Sequence, residues 1–270
     1  TYYWRVRAKD DKGVWGPWSR TWSFTAHAPT PPLDVTLDHD PERGVGTLRW
    51  KPNPVGRQPA KYRVYGSDEM AFSVSDEPYR VNLGATKDKL ANPFPANFVA
   101  ETPDTELVVV GVGLNLPNAN KAFYRVVAVD ERGKRSWSSD YVAAPRPFIY
   151  SRPVTAARVG QQYGCSLAAI RSLGDARNRG KEGMGFWDIE EPKFALEQAP
   201  PWLKIDKDSG LLSGTPDAAG RAEVVVTATI DREVRQLNEG DLSWGTYKVV
   251  STSVERVGTA AQQFVIDVSE

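Results

Sequence analysis

Hydrophobic and polar residues alternate along residues 123–129, and this alternation predicts a β-strand. Tyr124, Val126 and Ala128 occupy every second position, so in a strand they lie on one face of a sheet. A glycine turn at Gly133 follows the segment. Alternation that ends in such a turn is typical of a strand that enters a hairpin.

The same pattern occurs a second time, in residues 2–13 at the beginning of the chain. An aromatic residue, two small apolar residues and a glycine recur at the same spacing. The matched pairs are Trp4 with Tyr124, Val6 with Val126, Ala8 with Ala128, and Gly13 with Gly133. A repeat of this kind indicates tandem modules.

The first copy of the pattern predicts only two strands, at residues 2–9 and 19–25. A two-stranded hairpin is marginally stable in water, and an inner face that contains Trp4 and Val6 requires a partner sheet. We therefore expect residues 1–27 to be the C-terminal strands of an incomplete module. The missing strands would come from an upstream domain of the same protein.

A complete module is predicted for residues 28–147, after a proline-rich junction. Seven segments in this range are short, mostly apolar at alternate positions and bounded by turn residues. The predicted strands are residues 33–37, 46–50, 61–65, 79–83, 106–112, 123–129 and 140–143. Many short strands with frequent turns indicate a sandwich of antiparallel sheets.

The order of these strands resembles the fibronectin type III family. The resemblance is carried by Leu48 and Trp50 on one strand, by Tyr62 and Val64 on the next, and by the Tyr124 strand. It implies a sandwich of seven antiparallel strands with no catalytic residues of its own. It also implies that the first copy of the repeat is the last two strands of another such module.

The middle module departs from this family in residues 85–104, which form a longer segment than the family usually has. We expect this insertion to cover the outward face of the 123–129 strand, because Val127 and Val129 would otherwise expose apolar area. Phe94 and Phe98 are the predicted anchors. The alternatives are that a neighbouring domain covers this face, or that Phe94 and Phe98 contact a ligand or partner.

A third module is predicted for residues 148–270. The sequence Gly-Leu-Leu-Ser-Gly-Thr-Pro at residues 210–216 resembles bacterial Ig-like domains, whose fold is a cadherin-like sandwich. Two insertions depart from that family, at residues 171–197 and 231–258, and we expect the second to add a hairpin. The acidic linker motifs of the family's calcium-binding relatives are absent, so the resemblance does not imply calcium.

The composition agrees with a chain made of strands and turns. The 270 residues include 20 Pro, 22 Gly and 9 Trp, and no segment shows long helical periodicity. We therefore predict an all-β fold class with tandem antiparallel β-sandwiches, first fibronectin type III-like and then Ig- or cadherin-like.

The charges of the chain balance, with 34 Lys and Arg against 34 Asp and Glu. This balance argues against nucleic acid as a partner. No apolar run is long enough for a membrane-spanning helix. Cys165 is the only cysteine, so an internal disulfide is excluded, and we expect Cys165 to be a small buried apolar residue.

The chain offers few candidates for catalysis or for cofactor and metal binding. A catalytic imidazole must be buried and oriented, whereas His27 and His39 lie near junctions between modules. Carboxylates at turn positions are usually solvated, and calcium needs six or more oxygen ligands. We predict no catalytic, cofactor-binding or metal-binding residues. The carboxylate clusters are Asp38, Asp40 and Glu42; Asp188, Glu190 and Glu191; and Asp206 and Asp208.

Aromatic residues near the start of the chain are the stronger candidates for contact with a ligand or partner. Residues 18–23 resemble, with one extra residue, the Trp-Ser box of fibronectin modules in cytokine receptors. Arg5 and Arg7 face outward on the neighbouring strand, and stacking on Trp15 and Trp18 would stabilise this part of the hairpin. The alternative is that Trp15 and Trp18 form a platform on which a sugar stacks.

Together these observations predict a non-catalytic piece of a larger bacterial surface or secreted protein. Its modules would act as spacers and docking surfaces, beside a polysaccharide-active domain. The family resemblances imply an extracellular, cell-surface or periplasmic location. The expected partners are the upstream domain and a polysaccharide or surface protein. The alternative function is a carbohydrate-binding module that uses exposed aromatic residues.

Overall fold

The computed structural model of the protein describes residues 2–24, 28–70, 72–82, 91–174, 189–237 and 249–270. Every regular element in these ranges is a β-strand. Within the described ranges, no helix has the length and apolar character that a bilayer crossing requires. The prediction of an all-β fold class is therefore confirmed.

The first element is a hairpin of β1 (Tyr2–Trp4) and β2 (Trp22–Phe24), which pair antiparallel. The pairing continues beyond β1, where the backbone amide of Ser19 donates to the carbonyl oxygen of Val6 at 2.7 Å. In the described part of the chain, this two-stranded sheet has no further strand. The hairpin is thus separate from the sheets of both sandwiches.

Ten strands build the middle part of the protein. They are β3 (Leu33–Asp40), β4 (Val45–Lys51), β5 (Lys61–Ser67), β6 (Tyr79–Asn82), β7 (Ala91–Phe94), β8 (Phe98–Thr102), β9 (Glu106–Val110), β10 (Phe123–Val129), β11 (Arg135–Ser138) and β12 (Val142–Ala143). One sheet has the order β3-β4-β9, and the other has the order β11-β10-β5-β8 with the short β12 beside β10. Apart from β12, the two sheets contain seven antiparallel strands, as the resemblance implies.

The core of this sandwich lies between the two sheets. It is formed by the alternate residues that the sequence predicts to point inward. Their burial between the two sheets removes apolar side chains from water and so stabilises the fold. The predicted members are Trp50, Tyr62, Val64, Tyr124, Val126 and Ala128, none more than 4% exposed. The prediction that these residues share one core is confirmed.

Strand β8 corrects the position of the predicted insertion. The sequence predicts residues 85–104 as extra chain, but Phe98–Thr102 pairs with β5 and completes the second sheet. The extra chain therefore lies between β5 and β8, where β6 and β7 pair as a hairpin. Residues 83–90 of the predicted insertion and of the predicted strand before it lie outside the described residues.

The outward face of β10 is covered, as expected, but by a different segment. Phe72 is 4% exposed and belongs to the same buried cluster as Val127. Asp76 accepts hydrogen bonds from Arg63 on β5 and from Arg135 on β11, the two strands on either side of β10. The segment from Phe72 to Asp76 therefore crosses β10. The prediction that residues 85–104 cover this face is wrong for Phe98–Thr102, which pairs within the same sheet as β10.

Seven strands build the last part of the protein. They are β13 (Ala156–Arg158), β14 (Tyr163–Ser166), β15 (Lys193–Gln198), β16 (Leu203–Ile205), β17 (Leu211–Gly214), β18 (Gly220–Leu237) and β19 (Val249–Ser269). Their sheets have the orders β13-β19-β18-β15 and β14-β17-β16. Only β13 and β19 pair parallel in this described part. A second buried cluster lies between these sheets.

Two predicted insertions of this last part have different outcomes. The insertion at 171–197 ends earlier than predicted, because its last residues belong to β15 and pair with β18. The expected hairpin at 231–258 is present as the outer part of β18 and β19, which pair as far as Leu237 and Val249. Residues 175–188 and 238–248 lie outside the described ranges.

The glycines of the motif at residues 210–216 meet two backbone requirements. Gly210 has a φ of +69°, which favours a residue without a side chain. At Gly214 a Cβ atom would overlap the carbonyl oxygen of Trp202. Between them Leu212 is completely buried in the core. The motif therefore combines a tight turn with a close approach of two backbone segments.

The junction between the two sandwiches is packed. Phe148 belongs to the core of the middle sandwich, and its neighbour Ile149 belongs to the core of the last one. Ile170 also packs into the middle core and is 1% exposed. The backbone amide of Leu173 donates to the carbonyl oxygen of Asp68 at 2.7 Å. Chain on both sides of the boundary thus contributes to one continuous interface.

A buried ion-pair cluster lies at this junction. The Glu190 side chain is 5% exposed, accepts a hydrogen bond from Nε of Arg146, and lies 3.6 Å from Nη1 of Arg232. The backbone of Glu190 also exchanges two hydrogen bonds with Ser172. Because Arg146 lies in the linker and Arg232 lies on β18, this carboxylate connects the linker to the last sandwich.

Candidate functional site: a ladder of tryptophan and arginine

The loop between β1 and β2 has the same turn as the second copy of the repeat. Oδ1 of Asp10 accepts hydrogen bonds from two backbone amides, and Gly13 has a φ of +81°. Oδ1 of Asp130 accepts two hydrogen bonds in the same way, and Gly133 has a φ of +76°. This turn returns the chain, so that Trp15 and Trp18 lie beside residues 5–9, which follow β1.

Basic side chains of residues 5–9, which follow β1, and the tryptophans after the turn alternate in one stack. The guanidinium carbon of Arg7 lies 4.3 Å from the ring centre of Trp15 and 4.6 Å from that of Trp18. Arg5 lies 4.5 Å from the ring centre of Trp18, and Nζ of Lys9 lies 5.4 Å from that of Trp15. We refer to these five side chains as the ladder. The predicted stacking of arginine on tryptophan is confirmed.

In the ladder, cations lie against the faces of the tryptophan rings, whereas the edges of the rings stay exposed. Trp15 and Trp18 are 51% and 47% exposed. Each ring nevertheless has two cations within the distance at which a cation and an aromatic face attract each other. A sugar that stacked on either face would have to displace a cation. The geometry therefore gives little support to a simple sugar-stacking platform at these two rings.

The cations of the ladder lack counter-charges within the described structure. The charged groups of Arg5, Arg7 and Lys9 contact tryptophan rings, and no carboxylate of the described residues forms an ion pair with them. Residues 2–24 contain five basic and two acidic side chains. The ladder is therefore a positively charged surface on a chain whose net charge is zero.

The middle sandwich offers a comparison, because the second copy of the repeat lies there. Arg63 forms ion pairs with Asp76 at 2.8 Å and with Glu101 at 3.0 Å. Lys61 pairs with Glu101 at 2.7 Å, and Arg135 pairs with Asp76 at 2.8 Å. Lys61, Arg63 and Arg135 are thus neutralised by internal carboxylates, whereas no carboxylate of the described residues pairs with the cations of the ladder.

The opposite face of the hairpin exposes apolar side chains, although the guanidinium of Arg20 lies 3.9 Å from the ring centre of Trp22. Trp4 and Val6 are 47% and 56% exposed, whereas their equivalents Tyr124 and Val126 are completely buried. Trp22 is 43% exposed, and its ring stacks on Trp4 with ring centres 5.9 Å apart. In the middle sandwich, a facing sheet covers the equivalent positions. The hairpin therefore exposes a face that the same pattern buries elsewhere in the chain.

Phe94 and Phe98, the other predicted contact residues, are engaged in packing. Phe94 is 4% exposed, and its ring stacks on that of Tyr79 with centres 5.0 Å apart. Phe98 is partly buried, 5.9 Å from the ring centre of Tyr65, with the guanidinium of Arg63 at 4.3 Å. Both lie on strands of the middle part, and the structure does not bring them together with Trp15 and Trp18.

Asp206 stabilises a turn, and Asp208 forms ion pairs at the surface. Oδ1 of Asp206 accepts hydrogen bonds from the backbone amides of Asp208 and Ser209. Hydrogen bonds from Lys193 and Lys207 lower the pKa of Asp208 to about 2. In the part of the chain that the structure describes, no group of three or more His, Cys, Asp or Glu side chains could hold a metal ion.

His39 is an exposed residue that contacts a core ring, and Cys165 is a packing residue. The ring of His39 lies edge-on to that of Phe148, with ring centres 5.7 Å apart. Cys165 is 6% exposed within the core of the last sandwich, as expected for a small apolar residue. His27 lies outside the described residues.

Two residues escaped the sequence reasoning. Glu190 belongs to a carboxylate cluster that the sequence predicts to be solvated, yet it is buried between Arg146 and Arg232. Trp137 is 87% exposed on β11, at the edge of its sheet. The signal for Trp137 was its place between two serines in the second copy of the repeat. No feature of the local sequence distinguishes Glu190 from the neighbouring carboxylates of its cluster.

Comparison with known proteins gives a limited result. No protein-family model matches the chain, and no curated protein matches it. Among solved structures, a two-domain fibronectin type III segment of chicken tenascin is similar at 12% identity and a TM-score of 0.22, over 87% of this chain and 98% of that chain. The pairing of the strands itself establishes an all-β chain that contains β-sandwiches.

Proposed function

We propose that this chain is a non-catalytic part of a larger bacterial protein that is secreted, periplasmic or displayed at the cell surface. Its modules act as spacers and docking surfaces for a polysaccharide-active domain elsewhere in the same polypeptide. The packed junction carries this proposal, because Phe148 and Ile149 enter two different cores. A spacer must hold its neighbours at a fixed distance, and a junction that is buried on both sides meets this need.

The state of the acidic side chains supports a non-catalytic role. Glycoside hydrolysis needs two carboxylates across a cleft, one of them with a raised pKa. The pKa of Asp206 is instead lowered, chiefly because the backbone amide of Ser209 donates to its carboxylate. The lysines next to Asp208 lower its pKa as well. Hydrolysis of a polysaccharide by the purified chain would contradict this part of the proposal.

The open apolar face of the first hairpin supports a docking role. In the middle sandwich β3, β4 and β9 cover the residues that are equivalent to Trp4 and Val6. We infer that a sheet of similar character, from an upstream domain of the same protein, covers Trp4 and Val6. Burial of two such side chains would contribute roughly 3–6 kcal/mol.

A carbohydrate-binding module is the second candidate function, and Trp137 favours it. An open indole face can pack against the apolar face of a sugar ring, and Trp137 is the most exposed large apolar residue described. Trp15 and Trp18 give this candidate less support, because cations already occupy their faces. A glycan array that compares the parent protein with Trp137→Ala tests it.

Distance measurements between two spin labels test the spacer role. Cys165→Ser removes the only cysteine, and Glu131→Cys and Asp217→Cys then place labels on exposed turns of the two sandwiches. We expect one narrow distance distribution. Glu190→Gln should broaden it, whereas Glu191→Gln, at an exposed neighbouring position, should not. A broad distribution in the labelled parent protein would contradict the spacer role.

A further inference from the structure

We propose that the ladder is a binding site for an anionic polysaccharide, one that carries carboxylate or sulfate groups. This binding role goes beyond the spacer role and does not depend on it. The first observation is the local charge. Residues 2–24 carry five basic and two acidic side chains, whereas the whole chain carries equal numbers of both.

The stacking holds the cations in place and leaves their donors accessible. Arg7 lies between Trp15 and Trp18, so the flat face of its guanidinium is used by the rings. The N–H donors of a guanidinium point outward in its plane, and stacking does not consume them. A side chain already held in this way loses less conformational entropy when it binds an anion.

These donors lack an anionic partner among the described residues. By contrast, Arg63 and Arg135 on the outer face of the middle sandwich are neutralised by Asp76 and Glu101. Among the described residues, no such carboxylate pairs with a cation of the ladder. A row of like charges without counter-charges repels itself, so an external anion stabilises it.

The shape of the ladder favours a linear sugar chain over other polyanions. Arg5, Arg7 and Lys9 occupy alternate positions just after β1, where backbone hydrogen bonds from Ser19 to Val6 and from Gly16 to Ala8 continue the pairing. In extended chain this spacing places successive charges about 7 Å apart in a line. The row lies on the face of the hairpin, so an extended peptide could not add backbone hydrogen bonds as it does at a sheet edge. The faces of Trp15 and Trp18 are occupied, so nucleic-acid bases could not stack on them.

A linear polysaccharide with an acidic group on its sugar rings needs neither a sheet edge nor an open aromatic face. Each guanidinium can bind one carboxylate or sulfate group through two parallel hydrogen bonds. Lys9 adds a third point charge at the end of the row. The ladder thus offers a charge pattern that follows the polymer along the strand.

Titration calorimetry of the whole chain with dextran sulfate and with polygalacturonate tests the proposal. We expect binding to at least one of these polymers and none to neutral dextran. The two polymers distinguish recognition of sulfate from recognition of carboxylate. Binding should be lost or strongly weakened at about 1 M salt, which shortens the Debye length to about 3 Å. Failure to bind either polymer at low salt would overturn the proposal.

Matched variants locate the site. Arg5→Gln together with Arg7→Gln should weaken binding about tenfold or more, because two guanidinium forks are lost. The control, Arg158→Gln together with Lys204→Gln, removes two exposed charges from the last sandwich and should change the affinity less than about twofold. Equal losses in both double variants would overturn the assignment to the ladder.

Two further measurements separate the effect of charge from that of the guanidinium shape, and a polysaccharide ligand from an acidic protein. Arg5→Lys with Arg7→Lys keeps the charge and removes the planar fork, so an intermediate affinity is expected. An affinity no higher than that of the double glutamine variant would show that the charge of these side chains does not carry the binding, and would overturn the proposal. Poly-L-glutamate should bind more weakly than the better polysaccharide. Tighter binding of poly-L-glutamate would assign the ladder to an acidic protein instead.

Discussion

The carboxylate of Asp76 lies 2.8 Å from the guanidinium of Arg63, and this pair fastens the covering segment to the middle sandwich. The same carboxylate accepts hydrogen bonds from the hydroxyl of Tyr65 at 2.9 Å and from Nη2 of Arg135 at 2.8 Å. Arg63 and Tyr65 lie on β5, and Arg135 lies on β11. One side chain therefore connects the covering segment to strands on both sides of β10.

Asp76→Asn should destabilise the protein by about 1–3 kcal/mol at neutral pH. Burial alone would raise the pKa of Asp76, but hydrogen bonds from Arg135, Tyr65 and Arg63 outweigh it and lower the pKa. The stabilisation is thus present above the ordinary aspartate pKa and is lost as the pH falls through the lowered pKa of the folded protein. Urea unfolding of the parent and of Asp76→Asn, at neutral pH and at about pH 3, measures this change in stability. An equal difference between parent and variant at both pH values would contradict the prediction.

Trp50→Ala should cost about 3–5 kcal/mol of unfolding free energy. Trp50 is 4% exposed, and its ring centre lies 5.3 Å from that of Tyr62 in the core. Trp137→Ala is the matched control, since Trp137 is 87% exposed and should change stability by no more than about 0.5 kcal/mol. Chemical denaturation measures both variants. A loss below about 1 kcal/mol for Trp50→Ala would show that the strand faces are assigned wrongly.

Gly214→Ala should destabilise the last sandwich by about 1–3 kcal/mol or more, because the added Cβ would overlap the carbonyl oxygen of Trp202. Gly164 lies on the paired strand β14 and has no atom within 4 Å of an added Cβ. Gly164→Ala should therefore leave stability unchanged or raise it by up to about 1 kcal/mol. Thermal unfolding compares the two. Similar melting temperatures for both variants would be inconsistent with the close approach at Gly214.

Tyr124→Phe should cost about 1–3 kcal/mol. The Tyr124 hydroxyl donates to the carbonyl oxygen of Val109 at 3.0 Å and accepts from the backbone amide of Lys121 at 2.8 Å, so its loss leaves two buried backbone groups without this partner.

The same hydroxyl predicts a dependence on alkaline pH. Burial raises the pKa of Tyr124 in the folded protein. Its contribution to stability is therefore complete below the ordinary tyrosine pKa of about 10 and declines as the pH rises above that value, because the unfolded state then loses the proton more easily. Urea unfolding at neutral pH and above about pH 10 should show a steeper decline for the parent protein than for Tyr124→Phe. Parallel declines would argue against a buried hydroxyl.

Part of the candidate site could be predicted from the sequence. Arg5 and Arg7 alternate on a strand beside a loop that contains Trp15 and Trp18, and this local spacing predicts their stacking. The absence of counter-charges could not be predicted, because a strand pattern does not show which distant carboxylates reach its face. In the middle sandwich Asp76 and Glu101 reach Arg63 from other segments.

By itself the sequence determined the all-β class, the tandem repeat and the core around Trp50 and Tyr124, because alternation and turn glycines act between neighbouring residues. Only the tertiary structure decided that Phe98–Thr102 is a strand of the sheet, that Phe72 covers β10, and that Glu190 is buried. Each of these depends on pairing or burial between segments far apart in the chain. Such contacts contribute free energy only once the sheets have assembled, so no local sequence pattern predicts them.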